Sequence, residues 1–526
     1  MIKTSELLEY MIEKQAKLND DVVLNPVQQR VVDNPSNSMI LAHNVGSGKT
    51  LSAIAKYETL KEQGRANKAL VVVPASLRHN FAEDGVKKFT DSSYNIVGNQ
   101  GEVRKGTGFM PNPNSDYNII SYEMFRKKPE EIIKNLGIDT VILDESQKGR
   151  NEGTSTTNSL KSLKGEGRNV ISLTGSVVNN SIADIHPLLD VVADPKDMIQ
   201  LGRNKKEFSK EYFRRNNSSR YKDVREDRRP VIGFNNRRKL KKILDKYVDY
   251  AGVDEVRDIA NIPHKDVSVQ KVPISKQQAK LYKKLVNENP ELYKLIRQKR
   301  LETLKDDEAA KAFNSLIESR KLMNSVGSVI PGIDLKESAN ITPKTKKLLD
   351  DMENHLKTTP DGQAVLLSNL INGGTDVLEA GLKERGIEYG KFIGKGNEGV
   401  TEETRQQDIR DYKDRKKRVM LISGAGAEGL SLNDTTWEGV LDPHYNPERM
   451  NQMEARGVRA HGLMHRPKDE RRVDVNRYIA TMPRTLGVFK SGYRTPDEMI
   501  YEIAQNKDKQ NQVLFNLLKA KKVWVG

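Results

Sequence analysis

The chain has 526 residues, of which 36% are hydrophobic and 30% charged, with a net charge of +16 and no cysteine. That length holds about two to three domains with their own cores, and the composition excludes a disordered or fibrous chain. It also excludes disulfides, zinc-thiolate sites, iron-sulfur clusters and a thiol nucleophile, while the basic excess favours a polyanionic partner such as nucleic acid over a neutral one.

Met1 to Asn25 alternates charge with short apolar runs and lacks the basic-then-apolar pattern of a secretion signal. No stretch reaches the ~18 to 20 apolar residues that a membrane span needs, so the expectation is a cytoplasmic protein without membrane contact. Ser38 to Ala42, Ala69 to Val73, Tyr117 to Ile120, Thr140 to Leu143 and Asn169 to Leu173 are short apolar, mostly β-branched runs separated by turns and amphipathic stretches. Such runs are buried strands of a parallel sheet, and their alternation with helices makes a doubly wound lobe. The Gly- and Asn-rich stretch from Asn99 to Asp116 reads as a surface loop.

Between Pro195 and Thr342 the pattern turns to long, charged, helix-favouring segments, including Lys276 to Glu288 and Glu291 to Ser325. Arg203 to Lys246 within it is strongly basic, which suits either a solvated helical face or a nucleic-acid contact. From Gln363 the strand-and-helix cycle returns in Ala364 to Ser368, Tyr389 to Ile393 and Arg418 to Ile422. The expectation is an α/β protein of two doubly wound parallel-sheet lobes, 1–195 and 343–526, with a helical, basic insertion over 196–342. A C-terminal helix is assigned to the second lobe.

Strand Met39 to Ala42 runs into His43-Asn44-Val45-Gly46-Ser47-Gly48-Lys49-Thr50 and then the helix-favouring Leu51 to Lys56. This context fits phosphate: glycines let backbone N–H groups curl around oxygens, the helix start adds positive potential, Lys49 reaches the outer phosphates and Thr50 offers a hydroxyl to Mg2+. His43 occupies the place of the first glycine in the strict eight-residue pattern, so the kinase and GTPase varieties are disfavoured. Strand Val141 to Leu143 ends in Asp144-Glu145-Ser146-Gln147. An Asp at a strand tip beside a phosphate loop can hold Mg2+, and the adjacent Glu can polarise the attacking water.

Together these segments resemble helicase superfamily 2 and, within it, the Swi/Snf-type translocases on double-stranded DNA. Leu24-Asn25-Pro26-Val27-Gln28 resembles the family's opening motif, whose Gln reads adenine, and Ala42 to Thr50 its phosphate loop. Val71 to Leu77 with Asn80-Phe81 resembles motif Ia, Asp144 to Asn151 the Asp-Glu-Ala-His box, and Leu173-Thr174-Gly175-Ser176 with Asn180 motif III. Val272 to Ser275 with Gln278 and Tyr282 resembles the entry to the second lobe. Ser423 to Leu432 is similar to motif V, Asp442 with Asn446-Pro447 to the stretch after it, and Gln452 to Arg459 to motif VI. Val177 stands where the family has Pro, and Ser146 and Gln147 replace Ala and His. The compact length and the His461 to Arg466 continuation are more like viral or phage members than chromatin remodellers.

The resemblance implies two RecA-like lobes that use ATP and Mg2+. Gln28, Gly46, Ser47, Gly48, Lys49, Thr50 and Gly429 are the implied ATP-binding residues, Thr50 and Asp144 the metal ligands, and Glu145 the group acting on water. Arg456 and Arg459, three apart on an expected helix, are the implied arginine fingers. Gln147, Thr174, Gly175, Ser176 and Gln452 are expected to couple hydrolysis to movement. Backbone contacts to nucleic acid are expected near Ser76, Arg78, Tyr122, Arg126, Ser368 and Ser423, at predicted strand ends in both lobes. A translocase on double-stranded DNA is the leading expectation, with a protein partner supplying targeting. A strand-separating DNA or RNA helicase is the alternative, and a nucleotide-gated DNA-binding scaffold with little hydrolysis is a third, favoured by the altered Asp-Glu-Ser-Gln box.

Overall fold

Alternation of side chains sets the layering of both sheets. The computed structural model describes residues 18–44, 46–104, 106, 108–149, 151, 153–163, 167–178, 181–219, 222, 226, 229–290, 292–293, 316–394, 400–424, 430, 432–483 and 494–520. The chain divides into two units, the first taking Met1–Arg215, Val231–Ala260 and Gln510–Gly526, the second Asn216–Pro230 and Asn261–Lys509.

The first unit opens with helix α1 (Pro26–Asp33), started by Asn25 in a capping box with Gln28. Its sheet contains β1 (Met39–His43), β2 (Ala69–Val73), β3 (Tyr94–Ile96), β4 (Tyr117–Ser121), β5 (Thr140–Leu143) and β6 (Asn169–Thr174). A two-stranded ribbon of β7 (Phe213–Arg215) and β8 (Val231–Phe234) follows, then β9 (Val248–Ala251), which returns to the sheet. The order is β3-β4-β2-β5-β6-β1-β9, with each pairing parallel. Ile40, Leu70, Val72, Val141 and Val170 face one core, while Met39, Leu41, Val71, Ile142 and Ile171 face the other. Helix α2 (Lys49–Glu62) fills the second core with Ala53, Ile54, Tyr57 and Leu60. Helices α3 (Ile185–Val192) and α4 (Arg237–Tyr247) cover the opposite face.

The second unit builds a parallel sheet from β10 (His264–Pro273), β11 (Ala364–Ser368), β12 (Tyr389–Phe392), β13 (Val419–Ser423), β14 (Trp437–Val440) and β15 (Arg472–Thr481), in the order β10-β15-β14-β11-β13-β12. Ala364, Leu366, Val419 and Leu421 face one core and Val365, Leu367, Met420 and Ile422 the other. Helix α5 (Pro447–Glu454) follows β14, and α6 (Pro496–Lys519) ends the described chain.

The segment 196–342 is rich in helix, including Lys276–Asn287, but it is shared out rather than set apart as an insertion. Its β9 completes an edge of the first sheet and its β10 an edge of the second. The far end of α6 likewise belongs to the first unit, where Leu514 and Leu517 enter the core. Glu291 to Ser325 lies largely outside the described residues. Among the described residues no helix is long and apolar enough to cross a membrane.

Candidate active site

Three strand ends meet at the carboxyl edge of the first sheet, the edge where doubly wound sheets bind ligands. Because β6 lies between β1 and β5, the segment after β6 is flanked by the loops that follow the other two.

Gly46 and Gly48 bend the loop after β1 with φ of 90° and 75°, values that residues with a Cβ resist. Gly48 is required twice, since a Cβ there would lie 2.4 Å from Nε2 of Gln28. Gln28 is thus seated against the loop from α1, its Oε1 accepting the Asn25 N–H at 2.9 Å. Lys49 Nζ donates to the carbonyls of His43 (3.0 Å) and Asn44 (3.3 Å). Ser47 is buried, and its Oγ has no partner among the described residues. A buried hydroxyl left so costs about 1–3 kcal/mol, and a phosphate oxygen would satisfy it. Two positive-φ glycines, this hydroxyl and the lysine therefore fit a bound triphosphate. Thr50 follows as the second residue of α2.

After β5, Glu145 has a φ of 50°, a conformation that costs a non-glycine residue on the order of 1–2 kcal/mol. Its N–H donates to Asp144 Oδ1 at 3.0 Å and its carbonyl accepts from Lys148 at 3.1 Å. Burial, then the Glu145 charge, push the Asp144 carboxyl up to about 7, against the pull of Lys49 and Lys148. That pull brings the loop lysine and the carboxylate into one electrostatic site, where a divalent cation would favour the ionised form.

Gln147 bridges two loops. Its amide nitrogen donates to Glu145 Oε2, and its oxygen accepts from Thr174 Oγ1 at 2.8 Å. Thr174 Oγ1 accepts in turn from the Ser176 N–H at 3.0 Å, with Gly175 between them. An amide donates and accepts at once, so the residue that departs from the family's His still connects the carboxylate to the segment after β6. Ser172, within β6, also donates to the Ser146 hydroxyl in the loop after β5 at 2.8 Å. Val177, in the place of Pro, is buried in the core.

Sequence reasoning missed what holds His43. Its ring is buried, with Nε2 at 2.7 Å from Oδ1 of Asp249 in β9, and Arg30 of α1 grips the same carboxylate at 2.9 Å through Nε and Nη2. Burial opposes the Asp249 charge, but hydrogen bonds from His43 and Arg30 hold its carboxyl down at about 2, while burial lowers the pKa of His43. This network ties the helix of Gln28 to the loop of Lys49. With His43 and Asp249 separated by 206 positions in sequence, no local pattern could reveal it.

Four of the expected nucleic-acid contacts are corrected by their packing. Arg78 is buried, donating to the Val97 carbonyl at 2.7 Å and pairing with Glu102 at 2.5 Å. Tyr122 is buried and donates to the Asp144 carbonyl at 2.7 Å, so it supports the carboxylate loop. Ser368 donates to Asp442 at 2.5 Å, and Ser423 accepts from the Gly394 N–H at 3.2 Å, both inside the second unit. Strand-end polar groups are satisfied here by neighbouring loops, as buried ones must be. Ser76 and Arg126 are exposed.

In the second unit Gln452 lies on α5, but Arg456 and Arg459 do not lie on a helix, because α5 ends at Glu454. The turn is set by Gly457, whose N–H donates to buried Glu438 at 3.1 Å and whose Cβ, if present, would lie 2.3 Å from that carboxylate. Arg459 Nη2 donates to the Leu430 carbonyl at 2.6 Å, and the Arg456 carbonyl accepts from Leu432 at 3.0 Å. Beneath the turn, buried Glu454 pairs with Arg477 at 2.7 Å and Lys265 at 2.5 Å. Gly429, the rest of 425–429, and Asn180 lie outside the described residues.

Comparison with known proteins matches residues 4–328 to the SNF2-related domain and residues 345–461 to the helicase conserved C-terminal domain. Over 506 residues the chain is 23% identical to a protein of Acanthamoeba polyphaga mimivirus named as a candidate ATP-dependent RNA helicase, L538, covering 94% of this chain and 98% of that one. Over 159 residues it is 33% identical to the DNA repair and recombination protein RAD54B of Homo sapiens, covering 29% of this chain and 17% of that one. Among solved structures it is similar to the Sulfolobus solfataricus SWI2/SNF2 ATPase core in complex with dsDNA, at 16% identity and a TM-score of 0.38, over 98% of this chain and 99% of that one.

Proposed function

We propose a function from one premise: this chain belongs to the SNF2-related family. It hydrolyses ATP and uses the closing and reopening of two lobes to move along double-stranded DNA. The observation that carries this reading is the bonded run Glu145–Gln147–Thr174–Ser176 beside the Lys49 loop. Through it, a change at the γ-phosphate end is felt in a loop after a different strand. Such a link is what a motor needs and a passive scaffold does not.

Thr50 and Asp144 would hold Mg2+, which supplies positive charge to the phosphates. Lys49 and the N–H groups of Gly46 to Gly48 orient the triphosphate, and Glu145 positions the attacking water and takes its proton. Arg456 and Arg459 would supply a further cation to the transferring phosphoryl group, without which turnover stays slow. The net charge of +16 supports a phosphodiester track. A second reading, strand separation on RNA or DNA, is favoured by the name of the mimivirus relative.

ATP hydrolysis measured with no nucleic acid, duplex DNA, single-stranded DNA and RNA at matched salt tests both readings. Stimulation by blunt duplex DNA without strand displacement is the expected result. Activity indifferent to every nucleic acid, or surviving Lys49→Ala and Glu145→Gln, would reject the motor.

A further inference from the structure

With Arg78, Tyr122, Ser368 and Ser423 held inside, the basic excess must be sought elsewhere, and one face of the first unit concentrates it. Helix α4 gives Leu240, Ile243, Leu244 and Tyr247 to the core and leaves Arg237, Arg238, Lys239, Lys242 and Lys246 exposed. Lys246 pairs with Asp194 and Asp197 at 2.7 and 2.8 Å. The other four form no ion pair with a described carboxylate, and Glu211, the acid at that end, is bonded to Asn236 at 2.7 Å.

Helix stability alone would not select this surface. Cations in a first turn oppose the macrodipole by roughly 0.3–1 kcal/mol each, and like charges at the four-residue spacing of Arg238, Lys242 and Lys246 repel by about 0.2–0.5 kcal/mol per pair. Asn236 enters the helix at φ 46° with no side-chain cap. Four uncompensated charges in a locally unfavourable arrangement point to a partner of opposite sign.

The fold fixes which way this face is turned. Helix α3 leaves the carboxyl edge after β6 and leads to Asp194 at the amino edge, where Asp194 accepts from Tyr247 at 2.8 Å. The Tyr247 end of α4 is therefore at the amino edge, and its Arg237 end at the carboxyl edge, the edge of the phosphate loop, on the sheet face opposite α2. From Arg238 to Lys246 the helix rises ~12 Å, which spans about three phosphates of one strand at ~3.4 Å each.

We infer that the outer face of α4, through Arg237, Arg238, Lys239 and Lys242, grips the nucleic-acid backbone without reading its sequence. The inference rests on the motor reading and adds a contact surface to it. Charges on a helix that is clamped into the core would hold the track while Arg78, Tyr122, Ser368 and Ser423 stay committed to internal bonds.

The test changes these four residues together to Gln and compares binding to duplex DNA across a salt series with the parent and with a matched variant, Arg410, Lys413, Lys416 and Lys468→Gln, exposed on the second unit. Removing like charges from the amino end of α4 should leave its melting temperature no lower than the parent's. The expected result is a log–log salt slope shallower by about 3 to 4 in the α4 variant, with the matched variant keeping the parent's slope. An α4 variant with the parental slope, or a matched variant that flattens it equally, would overturn the inference and leave the motor reading intact. A parent that binds neither duplex DNA, single-stranded DNA nor RNA would overturn both.

Discussion

The two units hold their candidate functional loops with different forces. In the first, Glu145 and Gln147 depend on short hydrogen bonds between adjacent strand ends, running to Thr174 and Ser176. In the second, the turn carrying Arg456 and Arg459 stands on buried charge: Glu454 with Arg477 and Lys265, next to Glu438, whose carboxyl burial and the Glu454 charge push well above its usual range. Single hydrogen bonds between loops, even one to a carboxylate, rearrange at a modest cost, whereas a buried ion pair resists being opened. Substitutions in the first unit should therefore change turnover more than stability, and those under the arginine turn should change stability first.

The comparison is most exposed at Glu454. Glu454→Ala leaves Arg477 and Lys265 with an unbalanced charge, so denaturant unfolding should report a loss of about 3–5 kcal/mol. A loss below 1 kcal/mol would remove the contrast between the units. Gln147→Ala breaks the bridge from Glu145 to Thr174, and duplex-stimulated turnover should fall roughly 10- to 100-fold, the equivalent of one or two strong hydrogen bonds, with little change in melting temperature. Gln147→His, which can still join the two loops, should recover most of that rate.

Asp249 is a place where the first unit also uses buried charge. Its folded pKa of about 2 lies below the ordinary 3.8, so the charge stabilises the fold above pH ~4, and that contribution is lost as the pH falls through about 2. At pH 7, Asp249→Asn should be less stable by about 2 kcal/mol, with the gap to the parent closing only between about pH 4 and pH 2. The smallest effect belongs to Ser47→Ala. Removing an unpartnered buried hydroxyl should raise stability by about 1 kcal/mol and weaken ATP binding several-fold, since the phosphate loses a donor.

Local chemistry made part of this molecule readable. The strands Met39 to Ala42, Ala69 to Val73 and Ala364 to Ser368 were legible because they are buried on both faces and so continuously apolar. β10 and β15 were not, because long polar side chains alternate along them, and β9 was not, because its four residues sit in a charged helical stretch. The phosphate loop and the Asp144-Glu145 pair needed only short spacing to be recognised. Contacts such as Arg30–Asp249 and Lys265–Glu454, 219 and 189 residues apart, leave no such trace. Strand-end Arg78 and Tyr122 misled for a related reason: their internal partners, Glu102 and the Asp144 carbonyl, are chosen by folding rather than by neighbouring sequence.

The proposed motor gives a guanidinium of motif VI the task of speeding turnover of a nucleotide held by Lys49. ATP affinity and duplex-stimulated turnover measured side by side for Arg459→Ala test it most directly. The account predicts affinity close to the parent's and turnover lower by roughly 10³-fold or more. Hydrolysis at the parental rate would contradict it.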